Sequence, residues 1–175
     1  KFLSKIAVSR DIFVVLQIDA QLQRKFFGHS FGSSKQSVVQ TMKSKGYQVD
    51  NYSNKIYVTN PKLKTINFGG LDWECIVFEF FQNKLMSVTF CVTTDTYTPS
   101  VIVDKYNETE ERLINKYQDY IDNRPLAKSG SKCIDFSDDK TQLIFRYIHI
   151  DSNGDASLTP TKRINLYLWY IDREI

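Results

Sequence analysis

The sequence contains few of the residues that build metal sites. Its 175 residues include three cysteines and two histidines. Cys75, Cys91 and Cys133 are widely spaced, and no C-x-x-C pair occurs. Only His29 and His149 are available to complete a set of ligands, and structural zinc sites need four closely spaced cysteine or histidine ligands. The sequence therefore predicts no metal site, and no motif in it indicates an organic cofactor.

Long apolar runs and blocks of like charge are also missing. The longest apolar run spans residues 12–18, far fewer than the roughly 20 residues that cross a bilayer as a helix. The 23 basic and 20 acidic residues are spread along the chain and give a net charge of +3, so no basic stripe indicates nucleic acid. We expect neither a transmembrane span nor a nucleic-acid partner.

The stretch 11–18 has two interpretations. Lys1, Lys5 and Arg10 precede it, and a small residue follows it, in the order found in secretory signals. Asp11 interrupts that pattern, because the central region of a signal is apolar. We favour a buried strand over the remnant of a signal.

Aromatic residues and alternating apolar positions are what the chain does contain. Its 12 Phe and 10 Tyr favour sheet-rich packing over a helical bundle. Strands are predicted at 56–58, 64–68, 73–81, 85–92, 132–136, 142–150 and 163–171. The sequence thus predicts an α+β fold with an antiparallel sheet or sheets. We expect one domain, 1–175, with possible halves 1–95 and 96–175, and nothing in the sequence indicates its oligomeric state.

Two helices are expected, one before each group of strands. The first is capped by Ser33 or Ser34, of which Ser33 forms a capping box with Gln36, and it stops at Gly46. The second begins after Pro99 and covers roughly 102–121, with apolar positions at helical spacing. Each half would then be a helix followed by an antiparallel meander.

Alternation in 73–81 and 85–92 predicts how these two strands pair. Facing the apolar positions of one strand with those of the other puts Ile76 opposite Phe90 and Phe80 opposite Met86, across a three-residue turn. The same register puts Cys75 opposite Cys91. We expect these two cysteines to be buried free thiols, although an oxidising compartment would favour a bond between them.

The segment Gly28-His29-Ser30-Phe31-Gly32 matches the G-x-S-x-G pattern of serine hydrolases. That pattern works on a strained turn between a strand and a helix of a parallel sheet, with several strands upstream. The chain has room for one strand before Ser30, and a meander follows it. A loop that leads into a helix cap is therefore favoured over a nucleophile. In the alternative, a small serine hydrolase, His149 would be the base.

The last predicted strand carries aromatic residues on one of its faces. Tyr167 and Trp169 alternate with apolar residues, and the preceding strand contributes Tyr147 and His149. If helices cover only one face of the sheet, these four side chains form an aromatic patch for a sugar or a protein. Burial of the patch under a second layer is the alternative, and it is favoured because aromatic residues on sheets usually lie in the core.

Three short patterns give the chain a resemblance to known proteins. They are Phe-Gly-x-Ser-x-x-x-Val at 31–38 leading to Lys-Gly-Tyr at 45–47, the Gly69-Gly70 turn before 73–80, and Asn-Lys-Leu at 83–85. Over 26–92, and loosely over the helix at 110–120, the chain resembles small bacterial envelope proteins. These include the outer-membrane assembly lipoproteins, the β-lactamase inhibitor proteins and secreted proteins of gut bacteria.

The resemblance implies an extracytoplasmic location in the periplasm, at the cell surface or outside the cell. It implies a binding or structural role and supplies no catalytic residue. We therefore expect a non-enzymatic module that binds a protein or a glycan of the cell envelope. The alternatives are a small serine hydrolase using Ser30 and a secreted enzyme inhibitor.

Overall fold

The computed structural model describes residues 21–93, 98–122, 132–150 and 163–175. The stretch 11–18, predicted above as a buried strand, lies outside the described residues. No helix in the described part of the chain is long and apolar enough to cross a membrane.

The described residues form twelve strands and two α-helices. The helices are α1 (Lys35–Ser44) and α2 (Pro99–Tyr117), and a short 3₁₀ turn (Gln118–Tyr120) follows α2. The strands are β1 (Lys25–Phe26), β2 (His29–Ser30), β3 (Gln48–Asn51), β4 (Lys55–Thr59), β5 (Ile66–Phe68), β6 (Leu71–Trp73), β7 (Cys75–Phe81), β8 (Lys84–Thr93), β9 (Ile121–Asp122), β10 (Lys132–Ser137), β11 (Thr141–Ile150) and β12 (Arg163–Asp172).

Eight of these strands form one antiparallel sheet. Its order is β3-β4-β7-β8-β12-β11-β10-β9, and two small hairpins, β1-β2 and β5-β6, lie outside it. The long strands β8, β11 and β12 are adjacent, and β12 lies between the other two. The predictions of an antiparallel sheet and two main helices are confirmed, in a fold with more sheet than helix.

Both helices pack on the same face of the sheet, which we call the helix face. Tyr106 of α2 stacks on Phe145 of β11, with ring centroids 4.7 Å apart. Val38 and Met42 of α1 are fully buried in the same core cluster. On β12 the inward positions are Ile164, Leu166, Leu168 and Tyr170, which alternate with less buried residues because side chains on a strand point to alternate faces. The opposite face, which neither described helix covers, is called the open face.

The register of β7 and β8 is confirmed at one end and wrong at the other. Cys75 pairs with Cys91 and Ile76 with Phe90 as expected, but Phe80 pairs with Leu85 because a bulge interrupts the ladder after Glu79. The turn has two residues, Gln82 and Asn83, both at positive φ, as in tight hairpin turns. The bulge absorbs the extra residue, Met86, so that Leu85 faces the core and is fully buried.

Cys75 and Cys91 form a disulfide, so the prediction of two free thiols is wrong. Their Cα atoms are 5.4 Å apart, close to the spacing of a hydrogen-bonded antiparallel pair and within the range that a disulfide spans. The predicted register was sufficient to bring the two cysteines together. The free cysteine of the described residues is Cys133.

The predicted ends of the helices need two corrections. Ser34 is the cap of α1, since its Oγ accepts a hydrogen bond from the Ser37 backbone N–H. The backbone of Ser33 instead pairs with Ser30 and Leu85, so the capping box with Gln36 does not form. The second helix ends at Tyr117, and Ile121, predicted as helical, lies in β9 opposite Phe136.

Replacing the cap of α1 is expected to lower the stability of the domain. Ser34→Ala removes the side-chain acceptor for the Ser37 N–H and should lower the free energy of unfolding by about 1 kcal/mol. Ser33→Ala and Ser30→Ala serve as controls and should each cost less, because their described contacts are made by the backbone. Urea denaturation of the three variants tests this order, and a larger loss for Ser33→Ala would contradict the assignment of the cap.

Candidate functional site

Ser30 lies in the short β1-β2 hairpin and is exposed to solvent. Neighbouring residues on a strand point to opposite faces, so the side chain of His29 points away from that of Ser30. The Nε2 atom of His29 is buried without a hydrogen-bond partner in the described structure, and burial lowers the pKa of this histidine. The G-x-S-x-G segment forms part of a tight hairpin that precedes the α1 cap. The large sheet is antiparallel, unlike the parallel sheet that supports a serine nucleophile.

The structure places Ser30 and His149 at opposite ends of the sheet. Gly32, two residues after Ser30, donates its N–H to Leu85 at the start of β8. His149 pairs with Ile164 of β12. The next residue of β12, Asn165, pairs with Thr93 at the end of β8. The eight residue-to-residue steps from Leu85 to Thr93 span about 26 Å of strand. The two proposed catalytic residues are thus far beyond hydrogen-bond reach of each other.

Ser30 is expected to be unreactive toward reagents that label activated serines. His149 is out of reach and the side chain of His29 points away, so the Ser30 hydroxyl lacks the histidine base that would activate it. Incubation with a fluorophosphonate probe, read by intact-mass spectrometry, should give no adduct, and the Ser30→Ala variant should give the same result. A stoichiometric adduct that disappears in Ser30→Ala would contradict this prediction.

The four aromatic candidates do not form a single patch. Tyr147 and His149 lie on the helix face, where Tyr147 makes an edge contact with Tyr106 of α2 and His149 is 8% exposed. Tyr167 pairs with Arg146 and Trp169 with Ile144, which are residues of the open face. The predicted grouping is wrong because the β11-β12 register puts odd-numbered residues of β11 on one face and odd-numbered residues of β12 on the other.

Tyr167 and Trp169 share the open face with Arg146. The guanidinium of Arg146 lies over the Tyr167 ring, 5.8 Å from its centroid. The amide of Asn165 donates to the Tyr167 hydroxyl at 2.7 Å and so fixes the position of the ring. We call Arg146, Tyr167 and Trp169 the open-face patch, and all three side chains are partly exposed.

Two nitrogens of the open-face patch lack partners. Arg146 Nε and Trp169 Nε1 are buried at the atomic level and donate no hydrogen bond within the described structure. An N–H held away from water without an acceptor costs free energy. Both nitrogens are donors only, so each lacks an acceptor on this face of the described structure.

A row of residues crosses the open face at right angles to the strands. From strand to strand it runs through Cys133, Arg146, Tyr167, Cys91 and Cys75. Burial raises the pKa of the Cys133 thiol, and the nearby Arg146 opposes that rise. Because strands lie about 4.8 Å apart, three strand spacings put Cys133 about 14 Å from Cys91, too far for it to exchange with the disulfide.

A shallow hollow of about 420 Å³ lies at the disulfide end of this row. Thr59, Cys75, Cys91 and Thr93 line it together with the loop residues Asn60 and Lys64. The Thr93 N–H donates to Glu74 Oε2 at 2.6 Å beside it. The hollow therefore extends the open face beyond Tyr167.

No cluster of side chains able to hold a metal ion occurs in the described ranges.

Sequence reasoning missed Arg146 and Asn165, which position Tyr167. The alternation of β11 and β12 contains a signal for Arg146, because the observed register places Arg146 directly opposite Tyr167. Finding it from the sequence would have required that register. The segment 151–162 that joins these strands is too long for turn chemistry to fix that register. Only the paired strands reveal which side chains share the face.

The fold and site define an α+β protein whose antiparallel sheet has helices on one face and a cationic-aromatic patch on the other. Comparisons with models of protein families, with curated proteins and with solved structures find no match.

Proposed function

We propose that this protein is a non-enzymatic extracytoplasmic module that binds a protein partner in the cell envelope through its open-face patch. The observation that carries the proposal is the placement of Arg146, Tyr167 and Trp169 together on the face that neither described helix covers. Arg, Tyr and Trp are the residues most enriched at the energetic centres of protein interfaces.

The Cys75–Cys91 disulfide supports the location outside the cytoplasm. Structural disulfides persist in the periplasm and outside the cell, whereas cytosolic thiols are kept reduced. The disulfide joins β7 and β8 beside the patch. In an oxidising compartment this bond would form and would make the binding face more rigid. The resemblance to small bacterial envelope proteins points to the same location.

A glycan is the other partner that the sequence suggested. Sugar sites, like other small-ligand sites, are usually concave, whereas the patch lies on a sheet face and its nearest described hollow is shallow. The shape and residue types of the open face therefore favour a protein over a glycan. A secreted enzyme inhibitor is a special case of this proposal, in which the bound protein is an enzyme that loses activity.

Binding tests should compare the patch with a distant surface. Immobilised wild-type protein is exposed to detergent-solubilised envelope proteins and, separately, to a glycan array. The retained protein is then purified, and its affinity is measured for Trp169→Ala, Tyr167→Ala and the control Val101→Ala. Val101 is an exposed apolar residue on α2, on the other side of the sheet.

We expect one envelope protein to bind the wild type and Val101→Ala equally, and Trp169→Ala to weaken that binding at least about tenfold. Circular dichroism checks that each variant is folded. Equal affinity of Trp169→Ala and Val101→Ala would contradict the role of the patch. Binding to glycans alone would replace the protein partner with a sugar, and loss of enzymatic activity of the bound protein would identify an inhibitor.

We also propose that the domain consists of two related halves, 1–95 and 96–175. Within the described residues, each half contains one α-helix followed by a meander, with β3, β4, β7 and β8 in the first and β10, β11 and β12 in the second. The last strand of each half meets the other at the β8-β12 pair. This arrangement supports the proposal because duplication of one helix-plus-meander unit would generate the observed strand order.

A further inference from the structure

A small hollow separates α2 from the β5-β6 hairpin on the helix face, away from the open-face patch. Its volume is about 110 Å³, enough for a ligand of roughly the size of one aromatic ring. The apolar side chains lining it include Phe68, Leu71 and Leu168. An aromatic ring of that size would bury part of its apolar surface in the hollow.

Two buried tyrosines also line the hollow. Tyr117 is 2% exposed and Tyr170 is 3% exposed, and both belong to its lining. Burial and the neighbouring Tyr117 raise the pKa of Tyr170, so its hydroxyl stays protonated and can donate. A ligand oxygen in the hollow would offer this hydroxyl an acceptor.

Two cations on α2 complete the lining. They are Arg112 and Lys116, and none of the described residues lining the hollow is acidic. Arg112 lies close to Gly70 at the hairpin turn, where an added Cβ would come within 3.3 Å of Arg112 Nη1. Its guanidinium therefore sits between the helix and the hairpin. Arg112 also pairs with Glu108, but both side chains are more than half exposed, and such exposed pairs contribute little stability.

From this combination we infer that the hollow between α2 and the β5-β6 hairpin binds a small aromatic carboxylate. The ring would contact Phe68, Leu71 and Leu168. The carboxylate would accept hydrogen bonds from Arg112 and Lys116, the charged residues of the described lining. Arg112 is the main determinant of the charge preference, because a guanidinium matches a carboxylate with two hydrogen bonds. The inference is independent of the proposed function, which concerns the opposite face.

Benzoate is the probe for this site, with benzyl alcohol and benzylamine as its neutral and cationic counterparts. Titrations of the full chain are followed by two-dimensional NMR at low ionic strength. The variants are Arg112→Gln, Tyr170→Phe and the control Lys43→Gln, which removes a charge from the exposed end of α1. We expect benzoate to bind the wild type with a dissociation constant of about 0.1 to 1 mM, typical of small fragments.

Arg112→Gln should weaken benzoate binding at least about tenfold, Tyr170→Phe should weaken it several-fold, and Lys43→Gln should leave it unchanged. Shift changes should map to α2 and β5-β6. The inference is overturned if benzoate shows no saturable binding, if benzyl alcohol or benzylamine binds as tightly, or if Arg112→Gln binds benzoate like the wild type. Arg112 is exposed and Tyr170→Phe keeps the ring, so both variants are expected to fold.

Discussion

Loss of the Cys75–Cys91 disulfide is expected to lower the free energy of unfolding by about 3 kcal/mol. The two cysteines are 16 residues apart in sequence, and closing a loop of that length restricts the unfolded chain by about that amount. The folded ladder of β7 and β8 remains paired without the bond, so the native structure should persist at lower stability.

The test compares Cys75→Ala/Cys91→Ala with the control Cys133→Ala in guanidinium denaturation. The double variant should show a clearly lower midpoint, and Cys133→Ala should stay close to the wild type because Cys133 forms no disulfide. Adding a reductant should bring the wild type to the midpoint of the double variant and leave that variant unchanged. A wild-type midpoint that is insensitive to reductant at full reduction of the bond would contradict the prediction.

Phe90→Ala is expected to lower the free energy of unfolding by about 4 kcal/mol, more than loss of the disulfide. Phe90 is fully buried in the middle of β8. Its ring stacks on Phe68 at a centroid distance of 4.2 Å and lies 5.6 Å from Trp73. Truncation leaves a cavity where the hairpin β5-β6 meets the sheet, and a domain of this size has a total stability of only about 5–15 kcal/mol.

Phe81→Ala is the matched control for that experiment. Phe81 ends the neighbouring strand β7 and is 51% exposed, so its truncation should change the free energy of unfolding by less than about 1 kcal/mol. Urea denaturation followed by tryptophan fluorescence reports both variants, since Trp73 lies against Phe90. Similar losses in the two variants would show that the core is not centred on Phe90.

The sequence predicted the long elements well because their alternation is unambiguous. Ile76 and Phe78 could face only Phe90 and Val88 without exposing apolar residues, and this register brought the cysteines together. At Met86 the same reasoning failed, since a bulge changes the pairing without changing which residues are apolar. Ser33 and Ser34 are equally good caps by residue type, and the backbone pairing that occupies Ser33 is a tertiary contact.

The candidate site was predicted in part. Tyr167 and Trp169 were named as candidates, although burial under a second layer was favoured, and both lie partly exposed on the open face. Tyr147 and His149 were grouped with them because the alternation within each strand does not show which of its residues share a face with residues of the neighbouring strand. Which residues of β11 and β12 share a face depends on the register between the two strands. The connection between them is too long for its sequence to predict that register. Arg146 was missed for the same reason, and the hollow beside α2 depends on where a helix packs.

The position of β12 has a consequence for how the chain is made. This strand follows all other described strands in sequence, yet it lies in the middle of the sheet, between β8 and β11. During synthesis from the N-terminus, β8 therefore exposes an unpaired edge until β12 has been synthesised, and such edges promote aggregation. Arg24, which directly precedes β1 in sequence, pairs with Asp172 at the end of β12 at 2.8 Å. A polypeptide that stops before Arg163 lacks the strand that joins β8 to β11. Each part of the sheet would then keep an unpaired edge, and a cell that makes this protein would need to shield both edges until β12 has been synthesised.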